Sequence, residues 1–516
     1  MAQDLCRFGD HLSGAQSPVE LGERASAVVI DSFAGSVRVE WERAAAFTPL
    51  GQLPFFVDFL KTAGLFEAFV DDCPLHYVSP NAPKKRDVLG TAMLSILAGH
   101  KRYAHIAALR GDGVLPELLD MTRIVSEDAV RRAFAAIEEE LGAAWLRRHL
   151  DHCVEPLLNE PWILDVDTTI KPLYGHQEGA VASYNPKKPG RPSHCYHSYS
   201  MAGTRLVLDV EVSAGDEHTS NHGAPGLWAL LDRTAHDSWP SLLRGDKGFG
   251  NEGIMSEAER RGLPYLFKLR LTASVRRAIE RLSRQSAWVD TGQGWQAKET
   301  AVRLKRWSRQ RRIIVLRRRV RGALARPLKG NRGGSQLTFL DIGVGEDMWE
   351  YQVLVTSLIE DVASFGQLYR DRGDGENIFD ELKNQWGWGG FVTRDLARCR
   401  LAARLVALFY DWWNIFVRLA EPGWHREAIT SRPLLLHAIA ERVRHARQTT
   451  IKIASTHARS APTAQALRAV ALFLRALVAN AEQLTTTDRW REILSRAFQA
   501  FLKGRPLQTA PRLKPG

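Results

Sequence analysis

Cysteine is scarce in this sequence, and no two cysteines form a C-x-x-C motif. The five that occur, in a chain of 516 residues, are Cys6, Cys73, Cys153, Cys195 and Cys399. An odd, scattered set argues against a disulfide framework or a zinc ribbon and favours a reducing compartment. The spacing of His194, Cys195 and His197 also matches no zinc module.

A leader segment and an uninterrupted apolar run are also missing. The N-terminal residues MAQDLCRFGDHL contain no basic start followed by an apolar stretch. The most apolar window, Leu401 to Ala420, contains Arg404, Asp411 and Arg418, which are costly inside a bilayer. We therefore expect a cytoplasmic protein with no membrane partner.

Acidic residues are absent from one long stretch of a chain that is basic overall. Seventy Lys and Arg residues against 58 Asp and Glu residues give a net charge of +12, which favours nucleic acid as a partner before a membrane surface. No acid occurs between Ala301 and Leu340. The arginines there include Arg311, Arg312, Arg317, Arg318 and Arg319. A surface for a phosphate backbone is the favoured interpretation, and an exposed β-face without a ligand is the alternative.

Hydrophobic patterning divides the chain into four predicted parts. Residues 1–158 are predicted to form a helical N-terminal domain, in which Ser126 caps one long helix running past Trp145 and leaves Arg131 and Arg132 outside. Residues 159–270 and 356–420 read as a mixed α/β core. Alternating runs predict a basic β-rich insertion at 271–355. Residues 421–516 are predicted to be helical.

Three acids stand at positions that suit chemistry. Asp165 and Asp167 lie two apart on a predicted strand, so they share one face of it. Carboxylates in a strand of Ile, Leu and Val cost desolvation unless they are paired or bind a cation. Asp246 ends another predicted strand, in the run Arg-Gly-Asp-Lys-Gly-Phe-Gly. A turn Asp beside a Gly is the alternative for that position.

A third pattern lies on a predicted helix after residue 364. Its members are Tyr369, Arg372, Glu376 and Lys383. At about 100° per residue they fall within an arc of roughly 60°, so one helical stripe carries an aromatic ring, a guanidinium, a carboxylate and an ammonium. A solvated charged face is the alternative. Gly373 and Gly375 weaken the helix and could break it before Glu376.

These residues resemble the Y-x2-R-x3-E-x6-K signature of the DDE transposases of bacterial insertion sequences. The segment Asp165-Val-Asp-Thr-Thr, with Tyr174-Gly-His-Gln-Glu-Gly-Ala and Tyr184-Asn-Pro-Lys-Lys-Pro-Gly, is similar to the branch called insertion sequence thirteen-eighty. The resemblance covers about residues 85 to 420.

The resemblance implies a ribonuclease-H-like α/β core in which Asp167, Asp246 and Glu376 are catalytic and hold two Mg²⁺ ions, with Mn²⁺ as a substitute. Asp165 is then a supporting or structural acid. Tyr369, Arg372 and Lys383 would contact DNA near the scissile phosphate. Trp349, in the insertion, lies near the place of a family tryptophan that stacks on an extruded base; a core position in its strand is the alternative.

The expected function is cut-and-paste transposition in the bacterial cytoplasm, at the nucleoid. The enzyme would bind the terminal inverted repeats of its element, cleave the ends and join their 3′-hydroxyls to target DNA, as a homodimer on DNA. Arg131 and Arg132 belong to the domain expected to bind the repeats. One alternative is a restriction-type nuclease that uses Glu381 and Lys383. The other is a non-catalytic DNA-binding protein descended from a transposase.

Overall fold

The computed structural model describes residues 27–41, 46–183, 188–217, 223–285, 287–320, 339–340, 348–388, 390–391, 393–422, 425–479 and 484–507. The chain separates into two compact units, residues 1–46 and residues 47–516. The described part of the first unit is an antiparallel hairpin of β1 (Val28–Ser32) and β2 (Gly35–Val39). This division draws no boundary within residues 47–516. The predicted domain boundaries after residues 158, 270, 355 and 420 therefore stay predictions.

Helices dominate the second unit up to residue 158. They follow the short strand β3 (Phe47–Thr48). The helices are α1 (Leu53–Thr62), α2 (Leu65–Asp71), α3 (Lys85–Leu97), α4 (Leu115–Leu118), α5 (Glu127–Ala135) and α6 (Glu139–Val154). Short 3₁₀ segments cover Tyr103–Leu109 and Glu155–Leu157. α3 is buried on almost every face because its residues are nearly all apolar or small.

The long helix predicted from Ser126 is two helices. Ser126 does cap α5, accepting a hydrogen bond from the Ala129 amide at 3.3 Å. The chain then breaks, and the Glu138 side chain caps α6 by accepting from the amide of Leu141 at 3.2 Å. The break changes the helical phase, so the apolar Leu141 is exposed, while Trp145 is buried.

A mixed sheet forms the centre of the second unit. Its first strands and their helices are β4 (Ile163–Pro172), β5 (Val181–Ala182), β6 (Pro192–Met201), β7 (Leu206–Ala214), α7 (Ala224–Asp232), β8 (Leu242–Gly245), α8 (Glu252–Arg260) and β9 (Tyr265–Lys268). The strands β7, β6 and β4 form an antiparallel meander. β8 then adds parallel to β4, and β9 parallel to β8. The predicted mixed α/β fold is confirmed.

The predicted insertion extends this same sheet. It contains α9 (Ala273–Ser283), β10 (Val289–Asp290), β11 (Trp295–Val302), β12 (Arg311–Arg319), β13 (Phe339–Leu340) and β14 (Trp349–Thr356). β14 pairs antiparallel with β9, and β12, β11 and β10 continue outward from it. Within the described residues the result is one eleven-stranded sheet.

The remaining elements are α10 (Ser364–Arg370), α11 (Gly373–Asn384), α12 (Leu396–Ala420), α13 (Ala428–Leu435), β15 (Ala440–His445), β16 (Gln448–Ile453), α14 (Ser460–Ala479) and α15 (Thr486–Ala497). Strands β15 and β16 interrupt the predicted helical region, and β15 pairs with β3. Among the described helices α14 is long and apolar enough to cross a membrane by length and composition. Leu467, Val470 and Leu474 on one of its faces are buried in the core.

The buried helix α12 explains the three charges in the most apolar window of the sequence. Arg404 donates to Asp209 on β7 at 2.9 Å. Asp411 accepts from the Val207 amide at 3.0 Å, and Arg418 donates to the Thr204 carbonyl at 3.1 Å. A buried charge is tolerated when it is hydrogen-bonded in this way. α12 is therefore the central core helix of the second unit, against which β7 and α6 pack.

Candidate active site

Asp167 and Asp246 lie side by side at one edge of the parallel strands. The register of β4 and β8 pairs Asp165 with Arg244 and Val166 with Gly245. Asp167 follows Val166 on β4, and Asp246 follows Gly245 directly after the end of β8. Neighbouring strands of a sheet lie about 4.8 Å apart. The Oδ1 of Asp167 accepts from the Thr168 amide and that of Asp246 from the Gly248 amide, both at 2.8 Å. Two acids far apart in sequence thus meet at one edge.

Asp165 has a structural partner. Arg244 donates to both of its carboxylate oxygens at 2.7 Å, through Nε and Nη2, and both side chains are buried. The remaining arm, Nη1, donates to the carbonyl of Leu368 on α10 at 2.6 Å. A bidentate pair of this kind fixes geometry as well as charge. Asp165 therefore ties β4, β8 and α10 together beneath the two half-buried acids, Asp167 and Asp246.

The signature helix is two helices, α10 and α11, separated at Asp371 and Arg372. Both residues keep right-handed helical backbone angles, so the interruption is mild. It falls before the glycines at which the sequence predicted a break. Tyr369 lies in α10, half-buried against the hydrophobic cluster beneath that helix. Glu376 lies in α11, and its side chain is outside the described parts of the structure.

Arg372 brings its charge directly to the acids. Its Nη2 lies 2.5 Å from Oδ2 of Asp167, and its side chain is only 5% exposed. Burial alone would lower the pKa of this guanidinium, but the charges of Asp167, Tyr369 and Asp246 outweigh burial and raise the pKa above its usual value. Arg372 is therefore a buried partner of the acids, and it can reach a phosphate only at their edge of the sheet.

Lys383 anchors the other end of α11 to the same strand face. Its Nζ donates to the hydroxyl of Thr169, two residues beyond Asp167 on β4. Position 376 lies on the helix between the residues that make these two contacts. The structure thus brings four of the predicted site residues, Asp167, Asp246, Arg372 and Lys383, to one strand face.

Glu381 belongs to a different environment. It is 1% exposed and accepts from Trp386 Nε1 at 3.2 Å, from His425 Nε2 at 2.8 Å and from the Ala428 amide at 2.9 Å. Two residues along a helix turn by about 200°, so Glu381 and Lys383 point to opposite sides of α11. The Glu381–Lys383 arrangement of the nuclease alternative is not formed.

The histidines near Cys195 have other partners. His197 lies between the hydroxyls of Thr168 and Ser213, at 2.9 and 3.1 Å. His194, three residues earlier, faces the other side of β6, where its Nε2 is 2.7 Å from the Glu178 carbonyl. Within the described residues no group of three or more His, Cys, Asp or Glu side chains is placed to hold a metal ion. Asp167 and Asp246 are among the described residues, whereas the side chain of Glu376, the third predicted ligand, is not.

The basic insertion is not uniformly a surface for DNA. Arg311 was predicted to bind DNA, but its side chain is 2% exposed and pairs with Glu252 at 2.6 Å and Glu259 at 2.8 Å on α8. This prediction is wrong, because the guanidinium holds β12 against α8. Arg312 is half-buried and donates to the Leu358 carbonyl at 2.8 Å.

Trp349 also has a partner within the protein. The guanidinium of Arg317 lies 4.2 Å from the centre of its ring and 4.0 Å from that of Trp288, a double cation–π contact. Both Trp349 and Arg317 are half-buried. Base stacking on Trp349 would have to displace or extend this arrangement.

Four of the predicted DNA-binding arginines are exposed. They are Arg131, Arg132, Arg318 and Arg319. Arg131 lies over the ring of Tyr103, 5.4 Å from its centre, and Arg318 pairs with Glu350 at 2.7 Å. Their role in DNA binding remains a prediction.

Sequence reasoning missed Arg244 and Thr169. Arg244 precedes Asp246 in the Arg-Gly-Asp run, and the signal for its role was the alternation of a parallel strand, which sets Arg244 beside Asp165 and Asp246 beside Asp167. Thr169 repeats the same face one step beyond Asp167. No sequence pattern pointed to its contact with Lys383.

Comparison with known proteins supplies the family. No curated protein matches the sequence. A solved cryo-EM structure of the piggyBac transposase, in a synaptic complex with hairpin DNA, is similar with a TM-score of 0.38 and 12% identity, over 87% of this chain and 86% of that one. The family described as Transposase DDE domain group 1 matches residues 81–478. That match covers well over half of the chain, and the protein therefore belongs to the DDE transposases, a family of DNA transposition and recombination.

Proposed function

We propose that the protein is a cut-and-paste transposase of the insertion sequence thirteen-eighty branch. It would bind terminal inverted repeats, cleave the ends of its element and join their 3′-hydroxyls to target DNA. The observation that carries this proposal is the meeting of Asp167 and Asp246 at one sheet edge, under a helix that brings Arg372 to the same place. The family membership and the basic net charge support DNA as the substrate.

The topology supports a ribonuclease-H-like core. Three antiparallel strands, β7, β6 and β4, are followed across the sheet by the parallel strands β8 and β9. The two acids lie on the first strand of the meander and at the end of the first parallel strand. Because β4 and β8 are parallel, the end of β8 and the middle of β4 bring the two acids to one edge of the parallel pair, where a phosphodiester would have to approach them.

The donor set suits a hard cation. Asp167 and Asp246 offer carboxylate oxygens, and Mg²⁺ takes few protein ligands because phosphate oxygens and water complete its shell. Asp167, Asp246 and Glu376 are the residues we propose as ligands. A pair of Mg²⁺ ions would supply activation of the attacking hydroxyl and stabilisation of the leaving oxygen.

The protein's own residues would position the substrate. Arg372 balances the charge of Asp167, so a phosphate that approaches the acids meets a guanidinium with a raised pKa and not a bare carboxylate pair. Lys383 on α11 contacts Thr169, two residues beyond Asp167 on β4, and can hold the next phosphate as a point charge. Tyr369 would orient a phosphate or sugar from α10. The attacking oxygen would then lie in line with the leaving oxygen, which is the geometry that phosphoryl transfer requires.

The other regions have proposed roles in assembly. We propose that the helical N-terminal region reads the terminal repeats, with Arg131 and Arg132 on its exposed face. The insertion would cover the cleaved end through Arg318 and Arg319, while the C-terminal helices support a dimer in the bacterial cytoplasm. Two ends require two active sites, so the dimer would form on DNA.

The test uses DNA that carries the inverted repeats found beside the reading frame. Asp167→Asn, Asp246→Asn and Glu376→Gln should each abolish nicking in Mg²⁺ or Mn²⁺, a loss of at least about 10³-fold, because a two-metal site lacks a ligand. Binding to the repeats should change by less than about threefold, since few phosphate contacts are lost. Nicking and gel-shift assays on the same preparations measure both.

Two matched variants are the controls. Asp165→Asn disturbs an acid on the same strand face, and Glu381→Gln an acid on the same helix. Both should lower the free energy of unfolding, by about 1–3 kcal/mol, because each mispairs a buried hydrogen-bonded group. The folded fraction of each should still nick DNA. Activity that survives Glu376→Gln but not Glu381→Gln would instead support the nuclease alternative, and binding without nicking in the unaltered protein would support the non-catalytic one.

A further inference from the structure

A compact basic cluster lies on the loop that joins β4 to β6. We call it the Tyr174 patch; it consists of Tyr174, Lys188 and Arg191. Lys188 Nζ lies 4.9 Å from the centre of the Tyr174 ring and donates to its hydroxyl. The Arg191 guanidinium lies 4.8 Å from the same ring. Residues 184–187 of this segment lie outside the described part of the structure.

The chain builds this cluster with a tight turn. Pro189 and Gly190 occupy its two central positions, Gly190 has φ +74°, and the Arg191 amide donates to the Lys188 carbonyl at 3.2 Å. This is the pattern of a type II turn, which holds its first and fourth residues close together. The Leu173 amide donates to the Pro192 carbonyl at 2.8 Å, so Tyr174 leaves β4 beside Arg191 where that residue enters β6. The two cations are thus pre-arranged around one ring.

The patch is exposed and strongly positive. Tyr174 is 67% exposed, and Lys188 and Arg191 are also exposed. Within the described residues Arg191 makes no ion pair. The hydrogen bond from Lys188, followed by the charges of Lys188 and Arg191, lowers the pKa of the Tyr174 phenol. Two like charges held around one ring repel each other, and an anion bound between them relieves that repulsion.

The patch also lies in line with the candidate active site. β4 continues beyond Asp167 to Pro172, paired there with β6 alone. At about 3.3 Å per residue, Tyr174 lies at most about 23 Å along the chain from Asp167. That is the length of about seven base pairs of duplex DNA. Lys383 contacts Thr169 between the two places, so cations follow β4 outward from the acids.

We propose that the Tyr174 patch binds the sugar-phosphate backbone of the target duplex during joining, within about seven base pairs of the point of strand transfer. This inference rests on the proposed function. During nicking, the terminal repeat supplies sequence-specific affinity through other regions of the protein. The target is a different duplex from the terminal repeat, and phosphate contacts near the acids would position it for joining. Lys188 and Arg191 supply such contacts, with Tyr174 positioned to pack against a sugar.

The first test needs no element sequence. A fluorescent duplex of random sequence, about 30 base pairs long, is titrated with the full-length protein at several salt concentrations. The double variant Lys188→Ala/Arg191→Ala should bind about tenfold more weakly at 0.1 M salt. Its slope of log affinity against log salt should be smaller by about 1.8, since each lost phosphate contact removes about 0.9. An unchanged slope would overturn the proposal.

The second test separates target DNA from element ends. Ends already cleaved to 3′-hydroxyls are joined to a plasmid, while nicking is measured on uncut ends. The double variant should join at least about tenfold more slowly and nick within about twofold of the unaltered protein, because only the target contacts are removed. Equal loss of nicking and joining would mean that the patch serves the element or its flank, and would overturn the assignment to target DNA.

The control variant is Arg260→Ala. Arg260 is also exposed, and it ends α8 at the opposite edge of the sheet from the acids. It should leave random-duplex binding, nicking and joining unchanged. Failure of the proposed function is distinct from failure of this inference: in the first case the unaltered protein nicks and joins nothing, whereas in the second it does both and the double variant matches it.

Discussion

Two acids on one strand face, Asp165 and Asp167, serve different purposes because their neighbours on β8 and α11 differ. Arg244 donates a hydrogen bond to each of the two carboxylate oxygens of Asp165. Asp167 keeps one oxygen on the Thr168 amide and shares the other with Arg372. Sequence alone favoured Asp167 through a family resemblance. The physical reason is visible only when the register of β4 and β8 is known.

Arg311 gives a prediction at the same scale. Replacement by Met removes a buried guanidinium from two half-buried carboxylates and should lower the free energy of unfolding by about 1.5–3 kcal/mol. Binding to random duplex should keep its salt slope, because no phosphate contact is lost. Urea denaturation and fluorescence titration measure the two quantities. A reduced salt slope with unchanged stability would restore the DNA-binding role.

The same arginine predicts acid sensitivity. Burial would raise the pKa values of Glu252 and Glu259, but hydrogen bonds, the strongest of which come from Arg311, outweigh burial and lower both pKa values to about 2, from a usual 4.5. A depressed carboxylate pKa contributes stability that is complete above pH 4.5 and is lost as pH falls toward 2. The unaltered protein should therefore lose stability in that window more steeply than Arg311→Met. The exposed Arg318→Met is the control and should keep the steep loss.

Helices were predicted well in kind and less well in extent. Hydrophobic period and the Ser126 cap located α5, but the break at Glu138 shifted the phase and exposed Leu141. The stripe from Tyr369 to Lys383 was predicted, yet its interruption falls at Arg372, where the guanidinium turns to Asp167. Such breaks depend on contacts with distant strands. The hydrophobic period of a single segment therefore cannot predict these breaks.

The hairpin of β15 and β16 shows what a local pattern misses. The sequence predicts a helical region over residues 421–516, but the chain turns at Ala446 and Arg447, both with positive φ. A two-residue turn of this type usually contains Asn or Gly, so Ala446 and Arg447 do not signal a turn. β15 is fixed in place by pairing with β3, nearly 400 residues earlier in the chain.

A glycine just beyond the C-terminal end of α11 has a left-handed backbone conformation. Gly387 has φ +91°, and a Cβ there would lie 2.7 Å from the Phe391 ring. Gly387→Ala should therefore lower the free energy of unfolding by about 1–3 kcal/mol, through backbone strain and displacement of Phe391. Thermal and urea unfolding provide the measurement.

Gly373 supplies the comparison for Gly387. A Cβ at Gly373, at the start of the same helix, meets nothing within 4 Å. Gly373→Ala should keep or raise stability, by up to about 1 kcal/mol, as helix propensity predicts. Equal losses from both variants would show that the strain at Gly387 is not the cause.

At the scale of the whole molecule, the sheet joins regions that the sequence divided. β14 of the predicted insertion pairs with β9 through Leu354, Val355 and Thr356, so the insertion and the acids share one framework. The alternating pattern of the sequence predicts that these residues form strands, but it does not show which strands pair, so the region was predicted as a separate β-rich part. Partner choice between β9 and β14 depends on closing a chain of more than 80 residues, which no local period records.

Under the proposed function, one transposition event requires two active sites. One chain provides Asp167 and Asp246 at one edge only, and two element ends present two scissile phosphates at once. We expect the complex on DNA to contain two chains, each acting on one end. When unaltered and Asp167→Asn chains are coexpressed in equal amounts, nicking of single ends should fall to about one half, and concerted joining of both ends to about one quarter, as random pairing in a two-fold dimer requires. A gel that separates one-end from two-end products measures both. Concerted joining that falls only to one half, as expected for a complex with one chain, or to three quarters, as expected for a dimer in which either active site processes both ends, would contradict the requirement for two active sites.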